Sequence, residues 1–562
     1  MGIKDLWTIL RPFGARKPLF ELQGKTIAID LSCWVCEAQN ISEYTVHPRM
    51  YLRNLYFRTC YLLLLGVNPV YVLEGNAPEL KYKTIAARNA LQFKGKQAKT
   101  ERTKKCKDRS HFNYTLKLCE EMLNYIGIVC IKGKGEAEAM CAYLDEKKFV
   151  DGCVTQDSDS FAYGSKTVYK NFSISQQGLH SANGGSVDEY NIHKLESSTG
   201  IGRYKIIALA LICGSDYCDG VFGVGKDSVL KLFDGIPDTD ILNRLRSWRT
   251  NSSYYENLQK HLTAQNICSL CGHIGKLMVH NEDGCKQCNT SVCCKTIGDS
   301  RKDRKEFVKN ELNIRTKTLH LPNFPDEELI NEFLISKETV QDFNMNWKQP
   351  NLRKFIEFTT KYLQWETIYA FEKFFPILTR WHLIKYNQRV SYIHKTQDVI
   401  IPKYIKKIRN PKGIPSYEIV WSDIQDICKD IIPSEQLEPA KIEKLFSTIE
   451  PQYLVEEAYP ELAENFKASK KTTSAGKAEG KSDTDLDKSK FGDENDLDLS
   501  DILDNILNYD QPEYVKKNME KIKKAKLESS FFMKLSTDAD LFEQTFTNID
   551  SSSSGEDSDS YK

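Results

Sequence analysis

Residues 126–144, IGIVCIKGKGEAEAMCAYL, pass from an apolar run through a Gly-Lys-Gly turn into a run of helix formers. A short apolar run bounded by glycine reads as a buried strand. The segment after it is rich in Ala, Glu, Met and Leu, which lose little by becoming helical. Glu136 and Glu138 then belong to the first turn of that helix, where the helix dipole favours acids. A buried strand feeding straight into a helix is the building unit of a parallel sheet.

The same unit recurs on either side. Residues 25–31, KTIAIDL, and 68–74, NPVYVLE, read as buried strands ending at Asp30 and Glu74. Residues 151–155, DGCVT, read as a further strand, followed by Gln156-Asp157-Ser158-Asp159. Helical segments over 51–65 and 112–125 lie between. The expected fold is α/β: a mostly parallel sheet with helices on both faces. Ligands of such folds bind beyond the carboxyl ends of the strands. Asp30, Glu74, Glu136, Glu138, Asp157 and Asp159 fall there, and an apolar helical run over 206–216, IIALALICGSD, brings in Asp216. One acid near a helix start is commonly only a cap. Seven on one sheet edge repel one another, and divalent cations are the usual remedy. Asp157 and Asp159, two apart in an extended stretch, would face one ion.

Basic residues adjoin this edge. Residues 81–109 carry eleven Lys and Arg side chains against two acids. Such a run is usually a solvated helix face. Here Lys81 and Arg88, seven apart and so two helical turns, stand close behind Glu74, where they would hold a phosphate against carboxylate-bound metals. Further on, Gly220-Val-Phe-Gly223-Val-Gly225-Lys226 opens the helical DSVLKLF. Glycines let backbone N–H groups approach a phosphate, and a helix N-terminus favours the anion, although such turns also simply join helices. The expected substrate is nucleic acid.

The 562 residues are enough for several domains, and 40% hydrophobic content allows sizeable cores. A net charge of +1 averages basic stretches with an acidic tail. Seventeen cysteines without a signal peptide point to a reducing interior. The apolar run Tyr61–Leu65 is far too short to cross a bilayer, so no membrane partner is expected.

The opening MGIKDLW, Asp30, LEG at 73–75, GEAEAMCAYL at 135–144, TQDSDSFAYG at 155–164 and GSDY at 214–217 with its glycine hairpin resemble the flap endonuclease/XPG family of structure-specific 5′ nucleases. DLSCWVCEAQN at 30–40 and FAYGSKTVYKNF at 161–172 resemble its GEN-type Holliday-junction resolvases. The resemblance covers about residues 1–465. It implies a PIN-like 5′ nuclease core with two Mg²⁺ ions per active site, ~4 Å apart, for which Mn²⁺ substitutes. Glu136 and Glu138 would lean toward the first ion, and Asp159 and Asp216 toward the second. Asp157 would lie near both, while Asp30 and Glu74 act largely through waters. Lys81 and Arg88 match cations that steer the scissile phosphate. Gly2 matches an N-terminal glycine tucked beside the active site once Met1 is removed, so an extension there should impair cleavage. Gly220–Lys226 matches a helix–two-turn–helix motif that grips a duplex arm through phosphates, without reading sequence.

The implied activity is a nuclear, structure-specific endonuclease of recombination and repair. It would resolve Holliday junctions by paired symmetric nicks, leave 5′-phosphate and 3′-hydroxyl ends, and cut 5′ flaps and forks. The partner is branched DNA, met by a dimer on the junction and a monomer when free. The short, irregular arch (about 80–112) suits a junction, which has no free end to thread. The alternatives are a monomeric flap endonuclease or 5′ exonuclease, and a non-catalytic binder of branched DNA.

Four domains are expected: a nuclease core over 1–205, a helical DNA-binding region over 206–390, a small β module over 395–465 and a disordered tail over 466–562. Within the second, a Cys-rich insertion (about 262–296) holds Cys268-x2-Cys271 and Cys285-x2-Cys288, which resemble a structural Zn²⁺ site with a slightly short gap, with Cys293 and Cys294 as spares and a run of reduced cysteines as the alternative. Aromatic-rich helices over 350–385 read as core. Residues 398–421 read as strand-turn-strand, followed by a helix near 440–449, and resemble the chromodomain-like module of GEN resolvases. Tyr417 and Trp421 there read as core rather than as a methyl-lysine cage, with Lys403, Lys406, Lys407, Arg409 and Lys412 toward DNA phosphate. In the tail, Leu499, Ile502, Leu503 and Ile506 could form a partner-binding stripe, Lys516–Lys526 carries six lysines suited to nuclear import or DNA binding, and the terminal SSSSGEDSDS suits phosphorylation, although all three also read as solvated linker.

Overall fold

The structure is a computed structural model. It describes residues 2–39, 49–86, 107–174, 185–263, 268, 275–286, 289–293, 300–339, 344–388, 400–411, 414–423, 430–437 and 442–475. Strands β1 (Ala15–Pro18), β2 (Thr26–Asp30), β3 (Asn68–Leu73), β4 (Val129–Lys132), β5 (Cys153–Val154), β6 (Thr167–Ser173) and β7 (Ser186–Asn191) form one sheet, in the order β1-β7-β6-β5-β2-β3-β4. The run β4-β3-β2-β5-β6 is parallel throughout. β7 pairs antiparallel with β6 and with β1, which makes an antiparallel edge. That edge was not expected, because ARKP, TVYKNFS and SVDEYN mix polar with apolar residues and carry no continuous apolar run.

Side chains alternate across the sheet into two cores, as the pleat requires. Ile27 and Ile29 of β2 join a core with the helices Met50–Leu64, Leu352–Leu363 and Thr367–Gln388. Ala28 joins a second core with the helices Ala137–Glu146 and Arg203–Cys213. The aromatics of the first core are packing residues, as expected: Phe355 and Phe374 stack at 4.4 Å and both are fully buried.

Three local expectations need correction. β5 is only two residues long, and Ser158 turns into αR backbone before the helix Asp159–Tyr163. Asp157 and Asp159 therefore share a turn, not an extended strand, and the Asp159 N–H donates to Asp157 Oδ1 at 3.2 Å. Near 440–449 the helix is only Ile442–Leu445, because β10 (Ser447–Pro451) pairs with β9 (Ser416–Asp423). With β8 (Ile400–Arg409) these make an antiparallel three-stranded sheet, in the order β10-β9-β8. The helix Pro460–Ala475 runs past the boundary expected at 466, anchored by buried Ala463 and by Phe466 against Tyr417 at 5.7 Å.

Among the described residues, no helix is long and apolar enough to cross a membrane. Arg88 and most of the arch, Cys271, Cys288, Cys294, Lys412 and the tail beyond 475 lie outside the described residues.

Candidate metal centre and nucleic-acid interface

The parallel order of β3, β2 and β5 brings the turns after them side by side. β2 hands over directly to the helix Leu31–Gln39, which leaves Asp30 at the junction. There Cys33 Sγ–H donates to Asp30 Oδ2 at 2.8 Å and Thr155 Oγ1–H to the same oxygen at 3.1 Å. Glu136 is the N-cap of the helix Ala137–Glu146, and Glu138 sits in its first turn. Ligand oxygens of Glu74, Glu136 and Glu138 lie within 4.8 Å of one another, and so do those of Glu138, Asp157 and Asp159. Glu138 is thus common to both triads, a place that the resemblance assigned to Asp157. Asp216 follows the helix Arg203–Cys213 and stands close enough to repel both Asp157 and Asp159. Asp30 in turn repels Glu74, so the seven acids form one connected group.

Burial makes this group costly. Asp30, Glu136, Glu138, Asp157, Asp159 and Asp216 are all buried. Burial pushes the Glu74 carboxyl up to about 8, and the charges of Glu136 and Asp30 add to the rise. Burial likewise raises Asp30 and Asp157, and it holds Glu138 and Asp159 well above the carboxylate range. Among the described residues, neither oxygen of Asp159 accepts a hydrogen bond. Buried carboxylate oxygens without donors, crowded by like charge, fit a divalent cation, a hard acid that takes oxygen ligands.

One cation of the chain is already among them. Lys81 ends the short 3₁₀ turn Glu79–Lys81, and its ammonium donates to Glu136 Oε2 and, at 3.3 Å, to Glu138 Oε1. Burial would lower its pKa, but Glu138, Glu136, Asp157 and Asp159 together raise it well above the usual range. The Tyr217 ring lies 5.4 Å from the same ammonium. Thr84 Oγ1–H donates to the Asp216 carbonyl at 2.6 Å, which ties the start of the arch to this acid.

The N-terminus closes one side. The Ile3 N–H donates to Ser158 Oγ at 2.9 Å, and the Lys4 N–H to the Gly214 carbonyl at 3.0 Å. Gly2 (φ +91°) is thereby pressed against Asp157 and Asp159.

The glycine hairpin forms a separate surface. A β-carbon at Gly220 (φ +78°) would stand 2.5 Å from the Gly214 backbone nitrogen, so this glycine is required by packing. Gly223 also has positive φ, and its carbonyl accepts from Lys317 Nζ at 2.6 Å. Gly225 is the N-cap of the helix Lys226–Phe233 and has open space around it, which leaves its backbone accessible. Phe222 at the tip is 98% exposed. Sequence reasoning passed over it, although an aromatic inside a glycine turn has no core to join.

Two further constellations differ in how far they are seen. Cys268 and Cys285 are both buried, whereas Cys271 and Cys288 lie outside the described residues. In the β module, Tyr417 and Trp421 are buried and hydrogen-bonded, to Glu456 at 2.8 Å and Thr448 at 2.7 Å, which makes them core. Lys406 and Arg409 pair with Glu443 and Glu418, while Lys403 and Lys407 are exposed.

Comparison with known proteins matches this layout. Residues 1–94 match the XPG N-terminal domain, residues 127–216 the XPG I-region and residues 401–468 the chromatin organization modifier domain 2. A crystal structure of human GEN1 in complex with Holliday junction DNA is 30% identical, with a TM-score of 0.61, and the alignment covers 85% of this chain and 100% of that one. The chain belongs to the XPG nuclease family, as a GEN-type member. Flap endonuclease GEN of Drosophila melanogaster is 47% identical across 84% of this chain and 66% of the relative. Flap endonuclease GEN homolog 1 of Homo sapiens is 35% identical across 82% and 50%. The chain spans about half to two thirds of the length of these curated relatives. In this GEN-type chain the acids of the I-region and of the N-terminal domain, 74 and 136 among them, meet in one cluster.

Proposed function

We propose that this chain is a Mg²⁺-dependent, structure-specific endonuclease that resolves Holliday junctions by paired symmetric nicks. The observation that carries the reading is the buried carboxylate group, whose Asp159 oxygens find no donor among the described residues. Glu74, Glu136, Glu138, Asp157 and Asp159 would hold the metals, with Asp30 and Asp216 beside them. Bound there, two Mg²⁺ ions supply an activated water and charge stabilisation of the leaving oxygen. Lys81 offsets the repulsion of Glu136 and Glu138, and with Arg88 it would meet the scissile phosphate. Gly223, Gly225 and Lys226 would hold a duplex arm by its phosphates, so shape rather than sequence would select the substrate. The junction as substrate is supported by the human relative, whose crystal structure contains Holliday junction DNA. The curated relatives' names add flaps as a substrate.

Symmetric cutting needs two active sites, so two copies would assemble on one junction. Exposed Lys403 and Lys407 of the β module would add phosphate contacts. Cys268, Cys271, Cys285 and Cys288 would hold a structural Zn²⁺, for which the burial of Cys268 and Cys285 speaks, and zinc analysis of the purified chain tests it. The six lysines of 516–526 suit a nuclear protein.

The test uses a plasmid-borne four-way junction with Mg²⁺ or with chelator, and an Asp157→Asn variant beside the wild type. Near-simultaneous dual incision that needs Mg²⁺ and Asp157 supports the reading. Single uncoupled nicks favour a monomeric flap endonuclease. Tight binding without any cleavage makes the chain a passive binder.

A further inference from the structure

The turn Gly133–Gly135, which presents Glu136, has a partner some two hundred residues away. Glu338 is 3% exposed, and its carboxylate accepts backbone hydrogen bonds from the middle and the last residue of that turn. The Lys134 N–H donates to Glu338 Oε2 at 2.9 Å and to Oε1 at 3.1 Å, and the Gly135 N–H to Oε1 at 2.9 Å. Lys134 Nζ adds a bond to Thr339 Oγ1 at 2.6 Å.

The opposite side of the same turn is occupied by the segment after β3. The Gly75 N–H donates to the Gly135 carbonyl at 2.8 Å, and the Asn76 N–H to the Lys134 carbonyl at 3.0 Å. A β-carbon at Gly75 would stand 2.2 Å from the Gly133 carbonyl, so the two backbones are in direct contact. Glu74 and Glu136 are therefore carried by two turns laced together, and Glu338 consumes the N–H groups left over. Charge-assisted bonds to backbone N–H are about twice as strong as neutral ones, so this clamp is stiff.

Glu338 is itself held. It follows the helix Glu327–Leu334, whose Phe333 carbonyl accepts from Arg203 Nη2 at 2.6 Å. Glu332 of the same helix accepts from the Tyr163 hydroxyl at 3.3 Å, and Tyr163 meets Tyr217, the neighbour of Asp216, at 2.8 Å. The segment 327–339 thus bonds the turn before Glu136 directly and reaches the neighbour of Asp216 through Tyr163.

We propose that Glu338 is a positioning residue of the metal centre. It sets the register of the Glu136 turn against the Glu74 turn, and so the spacing of the first triad. The inference rests on the metal-site reading above.

The test compares Glu338→Ala, Glu338→Gln and Glu338→Asp in the full chain, with Arg380→Ala as a destabilised control distant from the site. Mn²⁺ binding to the protein without DNA is measured by calorimetry, and the Mg²⁺ dependence of junction cleavage beside it. Glu338→Ala is expected to weaken Mn²⁺ binding ~10-fold, the usual size for a partner outside the ligand set, and to raise the Mg²⁺ midpoint with KM for the junction unchanged. Glu338→Gln keeps one acceptor oxygen for the two N–H groups but sets an amide N–H₂ against the Lys134 N–H, so it should recover only part of the lost affinity. Arg380→Ala should lower thermal stability and leave Mn²⁺ affinity alone. Should Glu338→Ala not fold, a loss in Glu338→Asp intermediate between wild type and a non-binding variant supports the proposal. Wild-type Mn²⁺ affinity in Glu338→Ala or Glu338→Asp overturns it. A wild-type chain that takes up no Mn²⁺ sinks the metal-site reading instead.

Discussion

A β-carbon on Gly2 would stand 2.1 Å from Oδ1 of Asp157, well inside any allowed contact. Gly2 is also at φ +91°, where a substituted residue is strained. The N-terminal segment is stitched in place through Ile3 to Ser158 and through Lys4 to Gly214, so it has little freedom to retreat. Gly2→Ala must therefore move Asp157 or the segment. The expected outcome is a loss of roughly 10²-fold in cleavage, the scale for a misplacement of about an ångström, with junction affinity in Ca²⁺ retained. Single-turnover cleavage beside a gel-shift titration checks this. Near-wild-type turnover would mean that the N-terminus does not press on Asp157 in solution.

Asp159→Asn removes one charge from a place where neither oxygen is hydrogen-bonded among the described residues. Burial and then Asp157 hold this carboxyl well above its ordinary range, so neutralising it relieves repulsion in metal-free protein. In chelator the variant should melt no lower than wild type. In Mg²⁺ or Mn²⁺ it should lose the ligand-induced rise in Tm and cleave at least about 10³-fold more slowly. Thermal melts with and without Mn²⁺ decide it, and a variant that still gains stability from Mn²⁺ removes Asp159 from the ligand set.

Arg380 and Glu450 join the β module to the nuclease core. Arg380 Nε donates to Glu450 Oε2 at 2.6 Å, Thr379 Oγ1 to Glu450 Oε1 at 2.7 Å, and Arg380 Nη1 to the Leu64 carbonyl at 2.6 Å. Both side chains are almost fully buried. Glu450→Ala leaves a buried guanidinium without its partner and should cost about 3–5 kcal/mol. The double variant Arg380→Met/Glu450→Leu should cost far less. Equilibrium denaturation in urea checks both, and equal losses for single and double variants would contradict the pairing.

His382 is a buried neutral imidazole. Burial pushes its pKa down from 6.5 to about 4, and it shares a 2.7 Å hydrogen bond with the Tyr459 hydroxyl. A depressed folded-state pKa means that its contribution is present above about pH 6.5 and is lost as pH falls toward about 4. The loss over that window is on the order of 3 kcal/mol. His382→Phe keeps a ring against Tyr386 and Tyr459 and has no proton to take up. Its stability should fall less steeply with acid, by close to one proton, over this range. Parallel slopes for variant and wild type would show that His382 is not the group being charged.

Much of the carboxylate cluster was legible locally, because a buried parallel strand announces itself as an apolar run and its last residue marks the sheet edge. TIAID and NPVYVL did so, with Asp30 and Glu74 at their ends. Strands β1, β6 and β7 did not, since their sequences mix polar with apolar residues and carry no continuous apolar run. Glu338 was invisible for a different reason. A glutamate in the stretch LISKETV looks like a surface acid, and only the closure of a loop of some two hundred residues puts it against Lys134 and Gly135.

The sequence alone determined which chemical groups are available and on which side of the sheet they emerge, because side-chain alternation and strand-to-helix handover are short-range rules of the backbone. Tertiary structure alone decided that Lys81 is buried between Glu136 and Glu138, that Glu138 is common to both triads, and that Glu338 and Gly2 hold the turns around them. These are contacts between segments far apart in the chain. Their energy comes from excluding water around charge, and that is set by what the whole fold packs there rather than by any neighbour in sequence.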